Sequence, residues 1–299
     1  MKLTRRAAIL GGAALAGTLP FRSFASVEMG NLKIDTLSDG NLVLPGSMIL
    51  GDRVGEAGDI LARYGLTPDQ FTPDCNVTLL RDGTNTVLFD TGAGANFMPT
   101  AGRLLDSLDT LGVTPEEVTH VIFTHAHPDH LWGVLDDFDE PVFYNAKHMI
   151  NRAERDFWLD PNTPDAIGEA RMAFAAGAIR NLQTIEDYLE TFEDGDEVVS
   201  GISAFATNGH TPGHTSFEIR GGSDSLMIIG DAIGNHHVGF EVPSWASGSD
   251  QDQDMGIATR ERLLDRLANE QMAMIGFHFP FPGVGRAEKS GDTYKFVAA

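Results

Sequence analysis

The sequence predicts an α/β fold of four layers, a helix–sheet–sheet–helix (αββα) sandwich, and three observations predict it. Short apolar, β-branched runs give way to stretches with helical spacing. That pattern occurs twice, strands then helices through residue 190 and strands then a helix again after it. The strands also end repeatedly in polar loops rich in His, Asp and Gly, at 90–94, 124–130, 208–214, 230–231 and 278–283. Such loops are where α/β folds gather their chemistry. Two halves of this kind bury most apolar surface by packing face to face.

The totals narrow the class. A chain of 299 residues with 42% hydrophobic content can build a large core. Its net charge of −22, from 43 acidic and 21 basic residues, repels nucleic acid and anionic membrane surfaces, so neither is an expected partner. Cys75 is the single cysteine, which excludes an internal disulfide and sets the expectation that no cysteine takes part in a metal site.

Residues 1–25 read as a leader. Thr4-Arg5-Arg6 precedes a small-residue apolar run from Ala7 to Gly17, and Ser23-Phe24-Ala25 resembles a small-x-small cleavage site. The pattern is that of a twin-arginine signal peptide. Residues 26–299 are then one folded domain, expected in the periplasm or secreted and free of membrane after cleavage.

Leu32 to Gly40 alternates and then turns, reading as a hairpin with Leu42-Val43-Leu44. Residues 45–75 are irregular apart from a short helix from Ala57 to Tyr64, a segment suited to drape over a pocket mouth. Residues 76–80 and 86–89 form a hairpin around Arg81-Asp82-Gly83. It runs into Asp90-Thr91-Gly92-Ala93-Gly94, a tight turn that carries Asp90 toward the site. A nucleotide loop does not fit, because Phe97 stands where the third glycine would be. Residues 100–112 repeat Leu at helical spacing and stop at Gly112, and Thr114-Pro115-Glu116-Glu117 has a capping pattern. Pro141-Val142-Phe143-Tyr144 reads as a strand, and 146–159 and 165–190 read as helices. Strands at 202–207, 215–219 and 226–229, a helix at 258–270 and the apolar run 272–277 complete the second half.

The chemistry centres on Thr124-His125-Ala126-His127-Pro128-Asp129-His130, which follows the buried strand 118–123. Alternate side chains of an extended segment share a face, so His125 and His127 can grip one ion. Pro128 then redirects the chain and lets Asp129 and His130 serve a neighbouring position. Imidazole and carboxylate without thiolate suit zinc, and also iron or manganese.

With His214 in Gly209-His210-Thr211-Pro212-Gly213-His214, Asp231 after Gly230, and His278, these motifs resemble the ordered metal motifs of the metallo-β-lactamase superfamily. The resemblance implies two divalent ions, zinc first. His125, His127 and His214 would hold one and Asp129, His130 and His278 the other, with Asp231 bridging. It further implies a metal-bridging hydroxide that attacks a carbonyl or phosphoryl centre of a small ester, lactone or organophosphate, with Asp231 and Asp129 as catalytic residues and Asp129 shuttling a proton. Leu37 to Gly40, Asp156 to Leu159, Phe281 to Gly285 and Tyr294 to Val297 are similar to the branch containing methyl parathion hydrolase and lactonase-like enzymes. Candidate pocket aromatics are Phe97, Trp158, Trp245, Phe279 and Phe281.

Asp90 reads as an orienter of a ligand histidine or a turn cap, and His210 as a loop-holding donor. His236 and His237 are assigned pocket-lining or structural roles, and His120 and His148 packing or surface roles. The expected partner is a small-molecule substrate, with a homodimer as an open assembly. A β-lactam hydrolase on the same site and a mononuclear iron oxidoreductase are the alternatives; His130 and His278 are surplus to one iron. Serine hydrolysis lacks both G-x-S-x-G and S-x-x-K.

Overall fold

Alternation along the strands sets the layers. In the computed structural model, which describes residues 23–299, Val121 and Ile150 point into one core while their neighbours Ile122 and Met149 point into another. The same split recurs at Met227, which faces a third core, between Leu226 and Ile228, which face the second. A two-residue side-chain period therefore gives each sheet two apolar faces, and both must be covered.

The first sheet has seven strands in the spatial order Phe24–Met29, Leu32–Asn41, Asp74–Arg81, Thr86–Phe89, His120–Ile122, Lys147–Asn151 and Leu189–Phe192. Its last four strands run parallel, with Phe89 beside Ile122 and Ile122 beside Met149. The second sheet also has seven, Glu197–Val199, Ile202–Ala206, Thr215–Gly221, Asp224–Ile228, Ala273–Ile275, Val284–Ser290 and Thr293–Ala298. Only Asp224–Ile228 and Ala273–Ile275 are parallel there. Parallel pairs need crossovers, and helices supply them. Leu104–Leu111, Arg152–Leu159 and Met172–Thr184 cover the first sheet, and Gln253–Asn269 covers the second. Leu104, Leu108, Trp158, Ala178 and Leu182 close the outer core on one side, and Leu263, Leu264 and Leu267 close it on the other. The sheets meet through Leu80, Ile122, Phe217, Ile219, Ile228 and Ile275. The αββα sandwich is the observed fold.

Several local expectations are corrected. Leu32–Asn41 makes no hairpin with 42–44; it pairs with Phe24–Met29 and with Asp74–Arg81, while Leu44–Pro45 pairs with Gln70–Phe71. Gly40, at φ +98°, is a close-approach site and not a turn, since a Cβ there would sit 2.1 Å from the Thr100 carbonyl oxygen. Of the expected leader, residues 1–22 lie outside the described residues. Phe24 and Ala25, at its end, pair with Leu37 and Thr36 in the first sheet.

Residues 141–144 form turns, with only an isolated bridge from Pro141 to Leu135. The strand comes slightly later, at Lys147–Asn151, where a helix was expected to start; parallel pairing on both edges overrides the helical leaning of Ala146-Lys147-His148-Met149. Asn151 then caps the shorter helix by accepting the Ala153 N–H at 2.8 Å. The expected helix 165–190 is broken at Gly168, whose φ is +82°, and its end is the strand Leu189–Phe192. Thr114 and Glu117 do form the capping box, over a single 3₁₀ turn.

Candidate metal centre

The parallel strands deliver their carboxyl ends to one rim. Thr86–Phe89 ends at Asp90, His120–Ile122 at the 125–130 loop, Asp224–Ile228 at Asp231, and Ala273–Ile275 at His278. His210 and His214 come from the connection between Ile202–Ala206 and Thr215–Gly221. These residues are almost completely buried.

Asp90 fixes the first of them. It adopts φ 65°, a strained backbone for a non-glycine residue, and its carboxylate accepts the Thr124 N–H and the Thr124 hydroxyl, each at 2.8 Å. His130 Nδ1 lies 2.8 Å from the same carboxylate, so its N–H points at Asp90 and its Nε2 faces inward. Orienter is thus the role Asp90 occupies here. The Thr124 hydroxyl also sits 3.1 Å from His125 Nδ1, which turns the other nitrogen of that ring inward. His278 is set by Nδ1 against the Asp74 carbonyl at 3.0 Å.

The inward atoms converge. His127 Nδ1 lies 3.0 Å from His125 Nε2 and 2.9 Å from His210 Nε2. Burial holds His125 and His127 far below the usual histidine pKa, so both rings are neutral at pH 7. Three inward ring nitrogens this close have more lone pairs than protons to share, and a cation among them resolves the conflict.

Asp231 spans the second group. One of its oxygens is 3.3 Å from His130 Nε2; the other is 3.1 Å from His278 Nε2 and 3.4 Å from His210 Nε2. Asp129 lies 3.2 Å from His278 Nε2 and 3.5 Å from His130 Nε2. Burial opposes charge on His130, yet Asp231, Asp129 and Asp90 together lift its pKa to about 10. His278 is likewise raised by Asp231 and Asp129 against the effect of burial. Asp129 Oδ2, Asp231 Oδ1 and His130 Nε2 are buried without hydrogen-bond partners. Orphaned acceptors and converging imidazoles are the donor set of a divalent cation site. His125 with His127 and His210, and His125 with His130 and Asp231, each bring their donor atoms within 4.8 Å of one another.

The structure corrects the expected ligand set at His214. Its Nδ1 is 2.8 Å from the Thr207 hydroxyl and its Nε2 accepts the Asp231 N–H at 3.0 Å, so both ring nitrogens are spent. The ring packs under Gly230, where a Cβ would lie 2.7 Å from Nε2. His214 therefore buttresses Asp231, and His210 takes the place expected of it. Asp250 backs His210, with Oδ1 3.4 Å from Nδ1, and Arg260 lies 3.4 Å from the other Asp250 oxygen. The Cys75 thiol lies close to Asp129 and His278, within 4.8 Å, but burial pushes its pKa to about 12 and keeps it neutral.

A cavity of about 80 Å³ opens onto His127, Asp129, His210, Asp231 and His278. Its walls are Leu42, Leu44, Met48, Ile49, Pro73, Phe97 and Phe174, with Gly234, Ser249 and the guanidinium of Arg171. Of the segment 45–75 expected over the pocket mouth, Met48, Ile49 and Pro73 line the cavity. Of the expected aromatics, only Phe97 lines this cavity. Trp158 and Phe279 are core, and Trp245 lines a separate cleft with Ile49 and Arg53. His237 stacks on Tyr64 at 3.7 Å and His236 packs against Phe279 and Phe296, outside the ligand cluster.

Residues 72–269 match the family model described as the metallo-beta-lactamase superfamily. The chain belongs to that superfamily. This metallo-β-lactamase-fold protein is similar to YobT, an uncharacterized protein of Bacillus subtilis (strain 168), at 35% identity over 132 residues, covering 44% of this chain and 51% of YobT. It is similar to the N-acyl homoserine lactonase AttM of Agrobacterium fabrum at 29% identity over 133 residues, covering 43% of this chain and 46% of AttM. The chain thus spans about half the length of these two curated relatives. Among solved structures, AidC, a dizinc quorum-quenching lactonase in complex with a product, superposes with a TM-score of 0.87 at 27% identity. That match covers 93% of this chain and 97% of AidC.

Proposed function

We propose that the protein hydrolyses neutral lactones and esters with an apolar chain, using two divalent ions, zinc in the first instance. One ion is held by His125, His127 and His210 and the other by Asp129, His130 and His278, with Asp231 shared. The observation that carries the substrate class is the wall above the ligands, in which seven apolar side chains outnumber Ser249 and Arg171. Lactonase relatives of the same fold support it.

Divalent ions bound there acidify water and polarise a carbonyl. The chain's own groups do the rest. Asp90, Thr124 and the Asp74 carbonyl fix which nitrogen of His130, His125 and His278 faces inward. Asp231 reaches both halves of the cluster and keeps them at one spacing. Asp129, on the cavity floor with an unpartnered oxygen, is placed to receive a proton and return it to the leaving alkoxide. Arg171 is tied to the Gly248 carbonyl at 2.7 Å and keeps further N–H donors for a substrate carbonyl. Leu44, Phe97 and Phe174 exclude water from the acyl chain.

The test is a panel of lactones of increasing acyl length, aryl esters, phosphotriesters and a carbapenem, run on enzyme of measured zinc content. The expected result is highest kcat/KM on lactones, rising with chain length. Turnover of the phosphotriester or carbapenem with none of any lactone overturns the proposal.

A further inference from the structure

Glu154 is fully buried in the first turn of Arg152–Leu159, and neither the motif pattern nor the ligand cluster accounts for it. Its two oxygens accept four hydrogen bonds. One takes the Ala126 N–H at 2.9 Å and the Trp158 indole N–H at 2.6 Å. The other takes the Thr211 hydroxyl at 2.7 Å and the Gly213 N–H at 2.9 Å. Ala126 lies between His125 and His127, and Thr211 follows His210. The carboxylate therefore joins the two loops whose histidines meet at 2.9 Å. The contact leaves no slack: a Cβ on Gly213 would lie 2.1 Å from the Glu154 backbone nitrogen.

Two backbone N–H groups and an indole N–H can only donate, so the arrangement requires an acceptor at both oxygens, as an ionised carboxylate provides. All four donors are neutral. A buried anion among neutral donors is expensive unless a cation lies close by. We propose that Glu154 is a positioning residue for the His125–His127–His210 metal site, setting the separation of the two ligand loops and supplying buried countercharge to the ion they hold. This rests on the two-ion reading above.

The test measures zinc dissociation from the full-length, zinc-loaded protein by competition with a chromophoric chelator, with thermal unfolding of the same samples. In Glu154→Gln the amide NH₂ faces a backbone N–H whichever way it turns, that of Ala126 or that of Gly213, so one loop is released. Zinc affinity at the histidine site is expected to fall 10- to 100-fold, the usual cost of losing a residue that orients metal ligands. Asp39→Asn is the control: Asp39 is also a buried carboxylate, accepting the Ala93, Gly102 and Leu104 N–H groups, but holds no ligand loop. It is expected to lower the Tm and leave zinc affinity within about twofold of wild type. Should Glu154→Gln not fold, Thr211→Val removes one of the four donors and is expected to weaken zinc roughly threefold to tenfold.

Wild-type zinc affinity in a folded Glu154→Gln, or in Thr211→Val, overturns the inference. So does an equal loss in Asp39→Asn, which makes the effect one of general stability. A wild-type protein that binds no zinc fails the two-ion reading itself, and the inference falls with it.

Discussion

His148 should make this protein acid-sensitive in a way one substitution removes. It lies on Lys147–Asn151 with no solvent exposure, its ring stacked at 19° to Phe123 and edge-on to Tyr188, each about 6.2 Å away. Neither ring nitrogen has a hydrogen-bond partner. Burial pushes its pKa down to about 4 from the ordinary 6.5. In the unfolded chain it protonates near 6.5, so between pH 6.5 and 4 the unfolded state binds the extra proton. Stability is therefore fully present above pH 6.5, declines as pH falls toward 4, and levels off below. The linkage amounts to about 2 kcal/mol by pH 5 and about 3 kcal/mol at its limit. In His148→Phe that decline is absent, whatever constant offset the larger ring adds. Urea unfolding of both proteins at pH 7, 6 and 5 reads it directly: the stability difference between variant and wild type should grow by about 2 kcal/mol across the series. Curves that stay parallel refute the reasoning, because histidines at the metal site titrate in both proteins and cancel.

Three further outcomes follow from the site. Asp231→Ala should lose both ions and all turnover, since one carboxylate reaches His130, His278 and His210; metal analysis and a rate assay check it. Asp90→Asn should weaken zinc 10- to 100-fold by freeing the His130 ring to turn, measured by chelator competition. Phe174→Ala should lower kcat/KM on long-chain lactones by about 10- to 100-fold and leave the shortest nearly unchanged, since it removes roughly 1.5–3 kcal/mol of apolar contact from the cavity wall.

The αββα architecture and most of the metal cluster were legible because the decisive residues are local or follow short runs of one period. Residues 125–130 are contiguous, and Asp231 and His278 each sit just past a buried β-branched or apolar run. His210 and His214 were not separable on that basis, since both belong to one six-residue loop. What separates them is distance from the following strand: His214 immediately precedes Thr215 and is drawn under Gly230, while His210 stays at the loop tip. The strand Lys147–Asn151 was hidden because its pairing partners, 120–122 and 189–192, are remote in sequence and outweigh local propensity. Val284–Ser290 and Thr293–Ala298, at the sheet edge, carry Arg286, Glu288, Lys289 and Lys295 and so lack a strong apolar signal. Glu154 and Asp250 are single carboxylates whose partners come from other loops, and no spacing rule finds them.

The most direct measurement is the zinc content of purified His210→Ala beside wild type and His214→Ala. The account predicts two zinc ions per chain in wild type, at most one in His210→Ala, and two in a less stable His214→Ala. Two ions retained in His210→Ala, with one lost from His214→Ala, would contradict it.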